Sequence, residues 1–409
     1  MSDFFLKDNA VNALKKFYLE AWDNQIGTKA SPFYAMIKKV PHVSGEEFIS
    51  AAPAGLSGGV GFGADEGEGN APDPGAMQYK RFSVPIVNMY ATVTIPDRAI
   101  QLSSNNAFFD LLNKEIEGVH EAFAWNMGRS IHGSSSGKLA SVTASISDND
   151  TSFKVDDPRN LKEGLIIDIY ANGGTSPKAR RRITNIKRTP ESSGGYLVYI
   201  NKPFSSAEAI TVSGSSYGFI TLQNSYGREI TGLKDILTEN NRIYGVDRSE
   251  NIFLNPIVHD MGETAVLTDD VIDKLLTKAQ REKGAEINML MFSDEAFSAY
   301  VRYLRSTNQR HEADFELNGG YKAIRYLSPT GRDIAVVKDE FVSANEVWGV
   351  NTDDFTFQKT EMTPVSKDGS MFERVAGSTS LQAVLACYGN LITSRPGGCI
   401  RITNAHHTA

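Results

Sequence analysis

The chain has 409 residues, a hydrophobic fraction of 41% and a charged fraction of 22%, the balance of a globular protein with substantial cores. A formal charge of −7 excludes a protein whose whole surface wraps nucleic acid, although it leaves room for one basic face. No apolar run approaches the ~20 residues of a bilayer span, and residues 1–17 mix acids with lysines, which is not a secretory signal. Cys387 and Cys399 are the only cysteines; they make neither a disulfide framework nor a cysteine-rich zinc site, and they suit a reducing cytoplasm.

In chain order, residues 8–25 carry Val11, Leu14, Phe17, Tyr18 and Trp22 close to helical spacing and read as an amphipathic arm. Residues 41–80 lose that pattern and hold "GLSGGVGFGADEGEGN", Pro53, Pro72, Pro74 and several acids, a stretch expected to be functional or unstructured. Residues 77–97 alternate as a strand, with Pro85 and Pro96 at irregular points. With Phe48 and Ile49 on the outgoing limb, the glycine stretch becomes the tip of a two-stranded excursion.

Phe108, Leu112, Ile116, Val119, Phe123, Met127 and Ile131 then step by three or four residues, which predicts one helix over Asn105–His132. At about 1.5 Å per residue it is a rod of roughly 40 Å, well beyond the usual globular helix. From Lys138 to about Thr221 short alternating segments follow at Val142/Ala144/Ile146, Phe153/Val155, Leu165/Ile167/Ile169, Ile183/Ile186, Leu197/Tyr199 and Ile210/Val212. They predict an inserted small barrel or sandwich. The remainder is mixed. Helices are expected from Thr268 to Gly284 and from Ser293, and strands at 288–292, 334–337, 346–350, 355–359, 382–388 and 399–402.

The glycine stretch matches two chemical motifs, and both fail on context. Gly55-Leu56-Ser57-Gly58-Gly59 has the spacing of a nucleophile elbow, but that turn needs a strand before the serine and a helix after it. Here Pro53 precedes it and more glycine follows, and the same pattern recurs at Gly133–Gly137 and Gly214–Gly218. Gly59-Val60-Gly61-Phe62-Gly63-Ala64 has dinucleotide-loop spacing, yet the acids and prolines after it neither open a helix nor welcome a pyrophosphate. The seven histidines are scattered; His120 and His132 read as structural, and His406 and His407 as a tail, so no metal site or cofactor is expected. One basic cluster stands out: Lys178, Arg180, Arg181, Arg182, Lys187 and Arg188. Strand alternation puts Arg180 and Arg182 on one face and Arg181 on the other. Ion pairing on a solvated strand or between subunits, and anion or nucleic-acid contact, are the readings it allows; no stacking aromatics are interleaved.

Residues 77–133, "MQYKRFSVPIVNMYATVTIPDRAIQLSSNNAFFDLLNKEIEGVHEAFAWNMGRSIHG", resemble the returning limb of the extended loop and the spine helix of tailed-bacteriophage major capsid proteins with the Hong Kong 97-type fold. Residues 133–142, "GSSSGKLASV", are similar to the turn after that helix, and residues 347–402 to the closing strands. The resemblance implies an α+β fold. Its parts would be an N-terminal arm (1–40), an extended loop (41–100), a spine helix of the peripheral domain (101–137), an inserted β-barrel-like module (138–221), and an axial domain with the remaining peripheral strands (222–409).

The implied function is structural and non-enzymatic: self-assembly through pentamers and hexamers into an icosahedral head around non-specifically held double-stranded DNA. The implied location is the virion, assembled in the host cytoplasm, with scaffolding, portal and decoration proteins as partners and no membrane. Scaffolding would be a separate protein or a segment already removed. The loop glycines Gly58, Gly59, Gly61 and Gly63 would let it take different angles, and Asp65, Glu66 and Glu68 would meet basic surface on a neighbour. No residue match implies covalent cross-linking. An encapsulin-like nanocompartment shell, and remotely a serine hydrolase using Ser57, are the rival readings.

Overall fold

The computed structural model describes residues 31–41, 45, 47–53, 55, 58–62, 75–77, 79–95, 105–192, 194–214, 216–262, 266–306, 315–316, 321–329, 331–360, 363–365, 373–374 and 380–405. The arm expected at 8–25 and the tail histidines lie outside them. The fold is α+β, with few helices and many strands. By its internal packing the chain divides into two compact units: Arg129–Lys234, and Met1–Gly128 together with Asp235–Ala409.

The first unit is built on a closed barrel. Its strands are Lys138–Val142, Ser152–Val155, Ile166–Tyr170, Ala179–Lys187, Tyr196–Ile200 and Gly218–Leu222. Alternation sends Val142, Val155, Ile167, Ile169, Val198 and Ile220 into the interior. Ile183 and Ile186 both point inward although they are three residues apart, because a register shift between Ile183 and Asn185 inserts an extra residue.

Two details differ from the sequence reading. At Leu197/Tyr199 the phase is reversed: Val198 and Ile200 are buried and Tyr199 faces outward. Ile210 forms only an isolated bridge with Ile146, and the strand that closes the barrel is Gly218–Leu222, paired on both sides. A Cβ at Gly218 would sit 2.6 Å from the Tyr170 carbonyl, so only glycine lets the chain enter the gap there.

The two ends of this unit lie side by side. Gly227 N–H donates to Ser136 O at 3.0 Å. Arg129, in the last turn of the long helix, makes a bidentate pair with Glu229 at 2.8 and 2.9 Å. Gly232 crosses the end of the same helix, where a Cβ would meet the Ser130, Ile131 and Gly133 carbonyls at 2.4–2.6 Å. Neighbouring ends are what allow a compact unit to interrupt another chain segment without distorting it.

The other unit holds two larger sheets. One has seven strands in the order Ile257–Asp260, Ile400–Thr403, Val347–Val350, Met289–Phe292, Asp333–Lys338, Lys322–Leu327, Phe315–Glu316. Helices Asp269–Lys283 and Asp294–Ser306 bury Ile272, Leu276, Ala296 and Tyr300 in the same core as Leu290 and Val336. The first of these helices carries Asp269 and Asp270 in its first turn and Arg281 and Lys283 in its last, and it ends at Gly284 in the left-handed conformation, φ 59°. The charges complement the helix dipole, and the left-handed glycine ends the helix there.

The second sheet is organised around Leu381–Thr393, which pairs with Val87–Ile95 along one stretch and with Phe355–Lys359 along the other. Lys38–Val40 adds in parallel to Phe355–Lys359. The short helix Pro32–Met36 anchors there through edge-to-face contacts of Phe33 with Phe355 and Tyr34 with Phe357 at 5.2 and 5.4 Å.

Both cysteines are buried in this unit. Burial pushes the Cys399 thiol up to about 12, so neither a thiolate nor an open path is available to a reagent. Native protein at pH 8 is expected to take up no maleimide, and denatured protein two equivalents, by intact mass. Labelling of the folded chain at either cysteine contradicts this.

Candidate functional site

The excursion seen in the sequence is a two-stranded hairpin. Glu47–Pro53 pairs antiparallel with Tyr79–Pro85, in register from Glu47 opposite Pro85 to Pro53 opposite Tyr79. After a single irregular residue, Ile86, the chain continues as Val87–Ile95 in the main sheet. Cross-strand pairing puts Phe48 with Val84 and Ser50 with Phe82 on one face, and these apolar side chains are buried. The opposite face exposes Ile49 to 65% and Tyr79 to 63%.

The apolar exposure continues beyond the paired strands. Val60 is 86% exposed, Phe62 is wholly exposed, and Met77 is exposed beside Tyr79, whose hydroxyl lies 3.1 Å from its sulfur. Burying each such Val, Ile or Phe side chain is worth about 1.5–3 kcal/mol. Five exposed apolar side chains on and beside one hairpin are more than the scattered surface residues that need no explanation.

The neck of the loop is tight. A Cβ at Gly75 would stand 2.5 Å from the backbone nitrogens of both Gly58 and Gly59, so the two limbs approach backbone to backbone where the loop begins. Sequence reasoning attended to Gly58 and Gly59 but missed Gly75, whose only signal was the Pro74-Gly75 pair. Gly61 is exposed; Gly63, Asp65, Glu66 and Glu68 lie outside the described residues. So does Ser57, but residues 58–62 after it form no helix, which removes the context an elbow requires.

At its root the hairpin is held from two sides. Ser83 N–H donates to the Tyr244 carbonyl at 3.1 Å, and the Phe82 ring lies 5.6 Å from the Tyr244 ring. The Asn390 side chain on Leu381–Thr393 donates to the Pro85 carbonyl at 2.8 Å.

The basic cluster lies on the barrel strand Ala179–Lys187 and its flanks. Arg180 is bidentate on buried Asp168, at 2.6 and 3.0 Å. Arg181 meets Glu208 at 2.5 Å and covers the Phe204 ring. Lys187 pairs with Glu191 at 2.6 Å and Arg188 with Glu163 at 3.7 Å. Lys178 and Arg182 have no ion-pair partner among the described residues. Four of the six charges are thus matched inside their own unit, which leaves little uncompensated field for a phosphate backbone. Among the described residues no group of three or more His, Cys, Asp or Glu is placed to hold a metal ion, and no helix is long and apolar enough to cross a membrane.

No protein-family profile matches the chain, and no curated protein matches it. Among solved structures it is similar to phage capsid proteins over about nine-tenths of its length. Against the capsid asymmetric unit of cyanophage A-1(L), identity is 13%, coverage 90% of this chain and 91% of that one, and the TM-score 0.49. Against the satellite phage P4 procapsid the figures are 9%, 94%, 97% and 0.42. Against the SrpI encapsulin of Synechococcus elongatus they are 10%, 93%, 91% and 0.46.

Proposed function

We propose that this chain is a shell-forming structural subunit, the major capsid protein of a tailed bacteriophage. It closes as pentamers and hexamers into an icosahedral head around double-stranded DNA. The observation that carries the reading is the hairpin: Ile49, Val60, Phe62, Met77 and Tyr79 stay exposed on an element whose other face is buried. A lone two-stranded hairpin is marginal in water, and this one gains its remaining burial on a neighbouring copy. The acids of the tip would face basic surface there. Scaffolding, portal and decoration proteins are the further partners this reading implies, and the virion is the location.

Electron microscopy of the purified protein, alone and with the products of adjacent genes, tests it. Closed shells are the expected result, and a protein that stays monomeric under every condition and helper tried overturns the reading. Particle contents separate the two shell classes: a genome and a tail vertex mark a phage head, an enclosed enzyme a nanocompartment. Ser57→Ala should leave particle yield and shape unchanged. Stoichiometric labelling of Ser57 by a serine-directed phosphonate would instead favour catalysis.

A further inference from the structure

The geometry points to Tyr244 as the residue that fixes the direction in which the hairpin leaves its sheet; we propose that the two-residue turn it heads is a catch on the hairpin root. Arg242–Ile243 pairs with Val246–Asp247, and the residues between, Tyr244 and Gly245, both have positive φ, 48° and 80°. That is the type I′ arrangement, which selects Asn-Gly or Gly-Gly because a Cβ is unfavourable there. A tyrosine at the first position works against the turn, so the turn alone does not explain it. An observed backbone outlier is a reason to look for what holds it.

Three contacts do so, two to the hairpin and one to the central strand. The Tyr244 carbonyl takes the outward N–H of Ser83, an edge donor of the hairpin. Its ring packs on Phe82. Its hydroxyl, buried and raised well above the usual tyrosine range by desolvation, donates to the Leu391 carbonyl at 2.9 Å, across 147 residues of sequence. Leu391 follows Asn390, whose side chain holds Pro85. Tyr244 therefore ties the hairpin to the central strand Leu381–Thr393 at the point where the hairpin ends.

The turn is itself braced. Arg248 is wholly buried, and its Nη1 donates to the Ile236 and Thr238 carbonyls at 2.8 and 2.7 Å. Hairpin and central strand are thus referenced to a rigid corner, and the angle between them is set by one side chain.

The test is hydrogen exchange on the unassembled 409-residue chain, read peptide by peptide. Tyr244→Asn suits the turn better than tyrosine but removes the ring and the hydroxyl, and Tyr244→Phe removes the hydroxyl alone. Tyr244→Asn should speed exchange over Glu47–Pro53 and Tyr79–Pro85 by about tenfold or more, and Tyr244→Phe by roughly threefold to tenfold, with the barrel strands unchanged in both. Wild-type protection of the hairpin in Tyr244→Asn overturns the proposal. If Tyr244→Asn fails to fold, Tyr244→Phe decides: an equal loss across the whole chain, or none, overturns it. The consequence for shell geometry rests on the shell-subunit reading, whereas the exchange result does not, so each can fail without the other.

Discussion

Deleting residues 58–70 is expected to leave a folded subunit that no longer closes into shells. The described residues of this stretch contribute no buried side chain: Gly58, Val60, Gly61 and Phe62 are exposed and Gly59 half-buried. Their removal therefore takes almost nothing from the subunit's own core. The shortened connection still bridges Pro53 and Tyr79, which are paired across the hairpin, and loop closure entropy changes only slowly with length. The unfolding free energy from denaturant titration should stay within the roughly ±0.5 kcal/mol typical of surface changes. Assembly should suffer heavily. Val60 and Phe62 alone forfeit about 3–6 kcal/mol of burial per subunit, and every subunit of a shell loses the same contact. Sedimentation and microscopy of the variant should show capsomers or monomers in place of particles. Wild-type shells from this deletion would mean that the tip touches no neighbour. A loss of secondary structure would mean that it belongs to the subunit core. Either outcome removes the argument from the hairpin.

Local pattern made the frame legible and left its closures hidden. The long helix was readable because Val119, Phe123, Met127 and Ile131 keep one stripe, and that stripe runs from half-buried at Val119 and Phe123 to fully buried at Ile131. The hairpin was readable because alternation on the returning limb, with Phe48 and Ile49 before the loop, brackets glycines that cannot continue either strand. Non-local pairings left no trace in any window. Lys38–Val40 is parallel to Phe355–Lys359, more than three hundred residues away, and nothing in "KKV" announces it. Gly218–Leu222 was missed because Gly214 and Gly218 punctuate the chain at its start as turn residues do, whereas the second glycine is there for a close backbone approach. The basic cluster was visible as charge, but its carboxylates, Glu163, Asp168, Glu191 and Glu208, come from four separate places in the module. Tyr244 was invisible for a related reason. A Tyr-Gly pair is a poor turn signal, and the contacts that justify it are supplied by Phe82, Ser83 and Leu391.

Glu229→Ala is expected to destabilise the barrel unit strongly although the residue lies outside its apolar core. The Arg129–Glu229 pair is 5% and 7% exposed and fully bidentate, so truncating the acid takes both carboxylate oxygens away from a buried guanidinium. Breaking a buried pair in this way costs about 3–5 kcal/mol. The lower end of that range is expected, because Arg129 also sits in the last turn of the long helix, where the dipole favours a cation. A second cost is steric: the Glu229 side chain fills the space beside Gly137, whose hydrogen-bearing face lies 3.2 Å from Glu229 Cγ by the position a Cβ would take. Exchange over the barrel strands should accelerate by roughly two orders of magnitude, since each 1.4 kcal/mol is a factor of ten, while Leu381–Thr393 keeps its protection. Glu229→Gln keeps the side-chain volume and should lose less. The double change Arg129→Met with Glu229→Leu should recover most of the loss, because replacing both charges with apolar groups removes the desolvation cost along with the attraction. Barrel exchange in Glu229→Ala within threefold of wild type would show that the pair does not hold the two ends of the module together, and that the backbone approach of Gly232 to the helix end does so alone.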